Sequence, residues 1–306
     1  MRWLRSLQQV GCSLDSLAAS LVKIWTRSMA LLPYAGTRFV GELIGSLSFL
    51  FRSRSAKVTE ANIRHCFPRL RDGERKLLVQ QSLKHTGRLL AETGITFHWS
   101  TEKIERLITS VEGLETAEAA LAAKRGALVL IPHYGNWELL ALYFGRLELI
   151  ALYDPPKIAS LDPLIRQSRQ RTGATLLPID AQGVRSVLRA LKIGKPVGLL
   201  PDQVPTRSAG LYAPFFNRPA LTMTFAHRLI HNTRPAVFIG SCARVGNGFK
   251  ITLAEAPENI YSEDVEVSVT ALNGAIEKLV RSDPAQYQWE YKRFKKLPEG
   301  SSPLYG

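Results

Sequence analysis

The chain has 306 residues, 45% of them hydrophobic and 22% charged; it can bury a sizeable core as one large domain or two small ones, and it is neither disordered nor a multi-span membrane protein. Forty Lys and Arg against 26 Asp and Glu give a formal charge of +14, which directs attention to anionic lipid, an acidic protein or nucleic acid as partner. The three cysteines, Cys12, Cys66 and Cys242, are widely spaced without a Cys-x-x-Cys pair, so neither a disulfide framework nor a structural zinc site is indicated and a reducing environment fits.

Residues 17–51 read LAASLVKIWTRSMALLPYAGTRFVGELIGSLSFLF and are followed by the basic RSRSAK. No small-residue cleavage site marks a signal peptide. Lys23, Arg27, Arg38 and Glu42 interrupt the stretch and Pro33 breaks it near its middle, whereas a clean span needs about 20 consecutive apolar residues. This favours one or two amphipathic helices lying in a membrane interface; a tilted single span and an ordinary N-terminal core pair are the competing readings. Residues 1–55 are therefore taken as a membrane-associating helical segment and 56–306 as a second, catalytic domain. AKVTEANIRHCFP reads as a helix stopped by Pro68, and DGERKLLVQQSLKHTGRLLAETGITF as a longer one with Asp72 as N-cap. Residues 102–125 also read as helix.

Beyond residue 126 short apolar runs alternate with helical patterns. ALVLI precedes the helix WELLALYFGRL, LELIALY a helix from Leu161, ATLLPI a helix around GVRSVLRALKIG, and PVGLLP a long loop. PAVFIGSCARV and FKITLAEA read as a strand pair joined by VGNG, and residues 264–281 as a final helix. The alternation predicts an α/β fold with a central, mostly parallel sheet flanked by helices. Chemistry in such sheets collects at the carboxyl ends of the strands. His133 stands past ALVLI, Tyr153 and Asp154 past LELIALY, and Asp202 and Gln203 past PVGLL.

IPHYGNWE, residues 131–138, is the most informative of these turns. Gly135 permits a tight bend, Asn136 is a good N-cap, and Glu138 falls in the first helical turn, where the dipole favours its charge. A carboxylate folded back onto the imidazole fixes the tautomer and leaves the other nitrogen of His133 as a base. That is a catalytic pair with no enzyme nucleophile, so the substrate must bring the hydroxyl. The competing reading is a structural histidine beside an ordinary first-turn acid.

HYGNWE resembles the His-x4-Asp/Glu signature of glycerolipid-type acyltransferases, in the form found in bacterial lipid A late (secondary) acyltransferases. The likeness continues in ANIRHCFP, in PDQVPTRSAGLYAPFFNRPALTMT and in QYQWEYKRFKKLPEGS, four ordered blocks running from about residue 29 to the C-terminus. The resemblance implies that His133 takes a proton from an acceptor hydroxyl, which attacks the carbonyl of an acyl thioester, while Glu138 orients the imidazole. It implies binding or oxyanion roles for Arg166 and Arg169, and places Asp202 and Gln203 in the same site, with Thr222 and Thr224 weaker candidates. The acyl thioester is a co-substrate and no further cofactor is implied. The implied partners are acidic acyl carrier protein as donor and a lipid A precursor in an anionic membrane, with no nucleic acid. The implied location is the bacterial inner membrane, catalytic domain toward the cytoplasm. In two respects the match is loose. The N-terminal segment is more charged than the span common in the family, and related enzymes acylate lysophospholipids through similar blocks.

Other classes fit less well. No zinc-finger spacing, aromatic RNA-binding stripe or basic heptad helix accompanies the charge, and no G-x-S-x-G elbow marks a serine hydrolase. His227 and His231 are four apart, but Arg228 stands where a zinc protease carries glutamate. A non-catalytic scaffold would have no use for the intact histidine–glutamate pair.

Overall fold

The computed structural model describes residues 2–305, with side chains from Asp15 onward; Cys12 lies outside the described side chains. Four helices open the chain: α1 (Arg2–Leu31), α2 (Tyr34–Leu50), α3 (Arg54–Cys66) and α4 (Asp72–His98). Pro33 separates the first two because it can begin a helix but cannot continue one. Asp72 is the first helical residue of α4 and not its cap; the Glu74 carboxylate instead reaches back to accept from the Arg71 N–H at 3.0 Å.

The segment 102–125 is not one helix. It divides into α5 (Thr101–Glu105), strand β1 (Ile108–Glu112) and α6 (Leu114–Ala122). The apolar positions Ile104, Leu107, Ile108 and Val111 have helical spacing, which explains the expectation, but the β-branched run pairs with a sheet edge instead. There follow β2 (Ala127–Leu130), α7 (Trp137–Gly145), β3 (Ile150–Tyr153), α8 (Asp162–Gln170), β4 (Thr175–Pro178), α9 (Ala181–Lys192) and β5 (Pro196–Leu199). Where the sequence suggested a long loop, β6 (Gly210–Phe215) and β7 (Arg218–Met223) form a hairpin, turned by Phe216 and Asn217, both at positive φ. The chain closes with α10 (Phe225–Thr233), β8 (Ala236–Val245), β9 (Gly248–Glu255) and α11 (Val265–Ser282).

The seven-stranded sheet has the order β1-β9-β8-β2-β5-β3-β4. All neighbours are parallel except β8 and β9, the predicted hairpin. Both faces are covered. Along β2, Leu128 and Leu130 face a core built with α3, α9, α10 and α11, while Ala127 and Val129 face a second core with α5, α6 and α7. That is why ALVLI reads as continuously apolar. After β2 the chain proceeds toward β3 on one side; after β5 it returns to β8 on the other. The carboxyl ends of β2 and β5, adjacent in the sheet, therefore flank a topological switch point, where the open crevice of an α/β sheet lies.

The N-terminal hairpin has two unlike faces. One packs on α4 at backbone distance: a Cβ on Gly45 would lie 2.3 Å from the Leu83 carbonyl oxygen, and one on Gly87 2.1 Å from that of Gly41. The other leaves Leu17, Leu21, Ile24 and Leu31 of α1, and Phe39, Leu43, Leu47 and Leu50 of α2, exposed at helical spacing. Among the described residues no helix is long and apolar enough to cross a membrane.

Gly87→Ala should force α2 away from α4, at a cost of about 1–3 kcal/mol, the usual penalty for overpacking. Urea denaturation of the variant would show an unchanged midpoint if the contact were looser than described.

Candidate active site

Leu130 of β2 and Leu199 of β5 share a rung of the sheet. His133 and Asp202 each lie three residues beyond that rung, and they meet. Asp202 Oδ1 is 2.7 Å from His133 Nδ1, and its Oδ2 accepts from the His133 backbone N–H at 3.0 Å. Both residues are buried. With Nδ1–H donating to the carboxylate, Nε2 carries the lone pair; it faces the Gln203 side-chain amide, 3.1 Å away. Burial alone would lower the His133 pKa, but the charge and hydrogen bond of Asp202 outweigh it and raise it above the ordinary 6.5. Burial disfavours the Asp202 carboxylate too, and His133 more than offsets this, leaving its pKa depressed.

Glu138 is not the ring's partner in this geometry. At the second position of α7 it points across to α8, where Arg169 grips it with two hydrogen bonds, one of them Nε to Oε2 at 2.8 Å. Arg169 also lies over the rings of Trp137 and Tyr153. Arg166 bonds Asp162 one turn back at 2.9 Å and covers the outside of Tyr153, so it is not brought into the cavity. Thr222 is buried in β7 and bonded to Arg293 and Asn273; Thr224 precedes α10 without capping it through its side chain.

Asn136 caps α7, its Oδ1 accepting from the Leu139 N–H at 2.9 Å, and its Nδ2 donates to Glu92 Oε2 at 2.8 Å. Glu92 belongs to α4 and is fully buried with Arg244 of β8, which donates to both its oxygens. Gly135, at φ 60°, passes so close to β8 that a Cβ would lie 2.0 Å from the Cys242 carbonyl oxygen. From the other side the C-terminal segment hydrogen-bonds the same turn. The Gly135 N–H donates to the Gln286 carbonyl and the Gln288 N–H to that of His133, at 2.9 and 3.0 Å. Neither Glu92 nor Arg244 stood out in the sequence; an arginine inside the apolar strand PAVFIGSCARV was the one available signal.

The imidazole opens on a cavity of about 500 Å³. Leu199, Val184, Met223 and Phe225 supply apolar wall; Gln203, Arg169 and Arg228 supply polar groups. Among the described residues no serine, threonine or cysteine lines it. A base without a nucleophile beside it, next to an apolar wall and a cationic rim, has the make-up of a transferase that activates a hydroxyl of its substrate. Over residues 12–296 the sequence matches the bacterial lipid A biosynthesis acyltransferases, and the chain belongs to that family; it is an acyltransferase. It is 29% identical over 278 residues to the lipid A biosynthesis lauroyltransferase of Escherichia coli, and 28% identical over 278 residues to that organism's palmitoleoyltransferase, each match covering 90% of both chains. At greater distance it is 26% identical over 219 residues to a phosphatidylinositol mannoside acyltransferase of Mycobacterium tuberculosis, covering 69% of this chain and 68% of that one.

Removing one partner of the buried ion pair, as in Arg244→Ala, should cost about 3–5 kcal/mol. The double change Glu92→Leu with Arg244→Met should recover much of that stability yet leave transfer impaired, because Asn136 loses its acceptor. Denaturation and rate measured on the same preparations separate the two effects.

Proposed function

We propose that the protein transfers a fatty acyl chain from acyl carrier protein to a hydroxyl of a lipid A precursor, with His133 as general base. The observation that carries this is the 2.7 Å contact between Asp202 Oδ1 and His133 Nδ1: a carboxylate there calls for a proton on Nδ1, which leaves Nε2 toward the cavity as the proton acceptor. Nε2 takes the acceptor's proton as its oxygen attacks the thioester carbonyl. The oxyanion is met by the Gln203 amide, released from the imidazole by the incoming substrate. Collapse breaks the carbon–sulfur bond, and the proton on Nε2 passes to the leaving thiolate. Asp202 stabilises the imidazolium throughout. Glu138 serves through Arg169, fixing Trp137 and Tyr153 at the wall of the cavity. Family membership and the lauroyl and palmitoleoyl relatives support the acyl group and the acceptor; the excess of positive charge suits an acidic carrier and an anionic membrane.

In this reading the enzyme works at the cytoplasmic face of the inner membrane. The exposed leucines of α1 and α2 enter the lipid, and Arg52, Arg54 and Lys57, next along the chain, meet head groups. A second reading, acylation of a sugar-bearing phospholipid, is favoured by the mannoside acyltransferase relative.

Purified protein, acyl carrier protein charged with laurate and a lipid A precursor should give a product one acyl chain heavier by mass spectrometry. No mass gain on the precursor, with acylation of a phospholipid instead, would select the second reading. His133→Ala should abolish transfer, and Asp202→Asn should lower it about 100-fold or more. The raised His133 pKa gives the sign of the pH dependence. The base is free only above that pKa, so activity falls on the acid side of a value higher than 6.5. Removing the Asp202 charge should move this limb to lower pH; a limb that stayed in place would exclude the assignment. Leu43→Asp combined with Leu47→Asp should abolish flotation with anionic vesicles while leaving the melting temperature unchanged, and undiminished flotation would place membrane contact elsewhere.

A further inference from the structure

A pocket of about 560 Å³ opens between the end of α2 and the facing sides of α3 and α4. Ala56 and Val79, both buried, give it an apolar floor. Its walls are basic. Lys57 and Arg64 of α3, Arg75 and Lys76 of α4, and Arg52 from the turn before α3 line it, against two carboxylates, Glu60 and Asp72. The pocket is remote from the catalytic histidine: Glu92, which anchors the His133 turn, lies about 24 Å along α4 from Lys76 at the usual helical rise.

Both carboxylates are already engaged. Glu60 accepts from Arg64 at 2.9 Å, with Arg52 Nη2 3.7 Å away, and Asp72 accepts from Arg75 at 2.7 Å. Arg75, its side chain only 16% exposed, is fastened further by the Leu70 carbonyl at 2.8 Å, and its Nε has no acceptor among the described residues. Lys57 and Lys76 have no ion-pair partner among the described residues. Five cations against two anions, in a concave space, favour an anion with several oxygen acceptors, as a phosphate has. The rim shows what that phosphate is attached to. Phe49 and Leu50 line the pocket, and Leu50 ends the exposed row Leu43, Leu47, Leu50 of α2. A ligand with its charge in the pocket therefore leaves along an apolar face. Nucleic acid has no apolar part to offer there, and an acidic protein surface would set carboxylates against bare leucines. A lipid with a phosphate head group and aliphatic chains fits both parts. Arg52 stands at φ 46°, just past the cap of α2, where glycine is the relaxed choice. Its charge is held at the rim at a cost in backbone strain.

We propose that this pocket binds the phosphate head group of one anionic membrane lipid, whose chains lie along Leu47 and Leu50. The proposal rests on the membrane contact proposed for the N-terminal hairpin and gives that contact a defined seat, away from the transfer chemistry.

The probe is dihexanoyl phosphatidylglycerol, kept monomeric below its micelle concentration and titrated into the full chain by calorimetry. It should saturate a single site, with dihexanoyl phosphatidylcholine and inorganic phosphate both much weaker. Lys57→Ala combined with Lys76→Ala should weaken the lipid about thirtyfold, two basic residues at their usual worth beside an anionic head group. Both side chains are exposed, so the melting temperature should hold. Arg52→Gly should weaken binding without lowering the melting temperature, because glycine relaxes the turn. Equal affinity for phosphatidylcholine, or titration without saturation, would reduce the pocket to diffuse surface charge and overturn the proposal. Inorganic phosphate bound as tightly as the lipid would make it a free-phosphate site and overturn it too, as would a double lysine variant that binds like wild type. The titration needs neither vesicles nor turnover. Wild-type protein that binds this lipid yet fails to float with vesicles, or to acylate the precursor, keeps the pocket and loses the membrane or the transfer reading instead.

Discussion

A carboxylate and a guanidinium almost entirely shut off from water hold the turn that carries His133 in place. Glu92 and Arg244 come from α4 and from the central strand β8, and neither would be tolerated at its position alone. Their pairing leaves Glu92 Oε2 able to accept a third donor, the amide of Asn136. Through that bond α4, β8 and the start of α7 become one rigid unit, and the turn carrying His133 is suspended between them. The net stability of such a pair over an apolar substitute is small; its value is geometric. It settles where Asn136 caps, hence where α7 begins, and hence how far the imidazole stands from Asp202.

The sheet contributes the second constraint. Two parallel neighbours whose connections leave in opposite directions open a crevice at their carboxyl ends without any special sequence. In-register pairing of β2 and β5 then delivers a histidine and an aspartate to matching heights above it. Around this, three stretches of very different chain position meet in one aromatic cluster: Phe67 from the end of α3, Phe215 and Phe216 from the hairpin, and Tyr287, Trp289 and Phe294 from the C-terminal segment. Asn62 adds hydrogen bonds to the carbonyls of Trp289 and Tyr291 at 2.6 and 2.8 Å.

Much of this was legible in one dimension. Strands buried on both faces declare themselves as apolar runs, and the polar residues just beyond them stand out, so His133, Asp202 and Gln203 were all identified as strand-end residues. Which of them touch was not legible, because contact depends on strand order and register. Glu138, nearer in sequence, was expected on the imidazole, yet a side chain at the second position of a helix follows the helix face, here toward Arg169. Local pattern also failed where two periodicities overlapped, as at β1, and where a hairpin turned on Phe-Asn in place of a glycine-bearing pair. Arg166 and Arg169, one turn apart on α8, could not be told apart before the sheet showed which one faces inward.

The pairing between the turn that carries His133 and residues 286–288 also has a consequence for the order of synthesis. His133 emerges from the ribosome long before the segment whose backbone completes its turn. Until residues 286–294 arrive, His133 and Gly135 lack their main-chain partners and the aromatic cluster lacks its anchor. A nascent chain would therefore carry His133 on an unfinished turn, and the candidate site would take shape only once residues 286–294 have emerged as well.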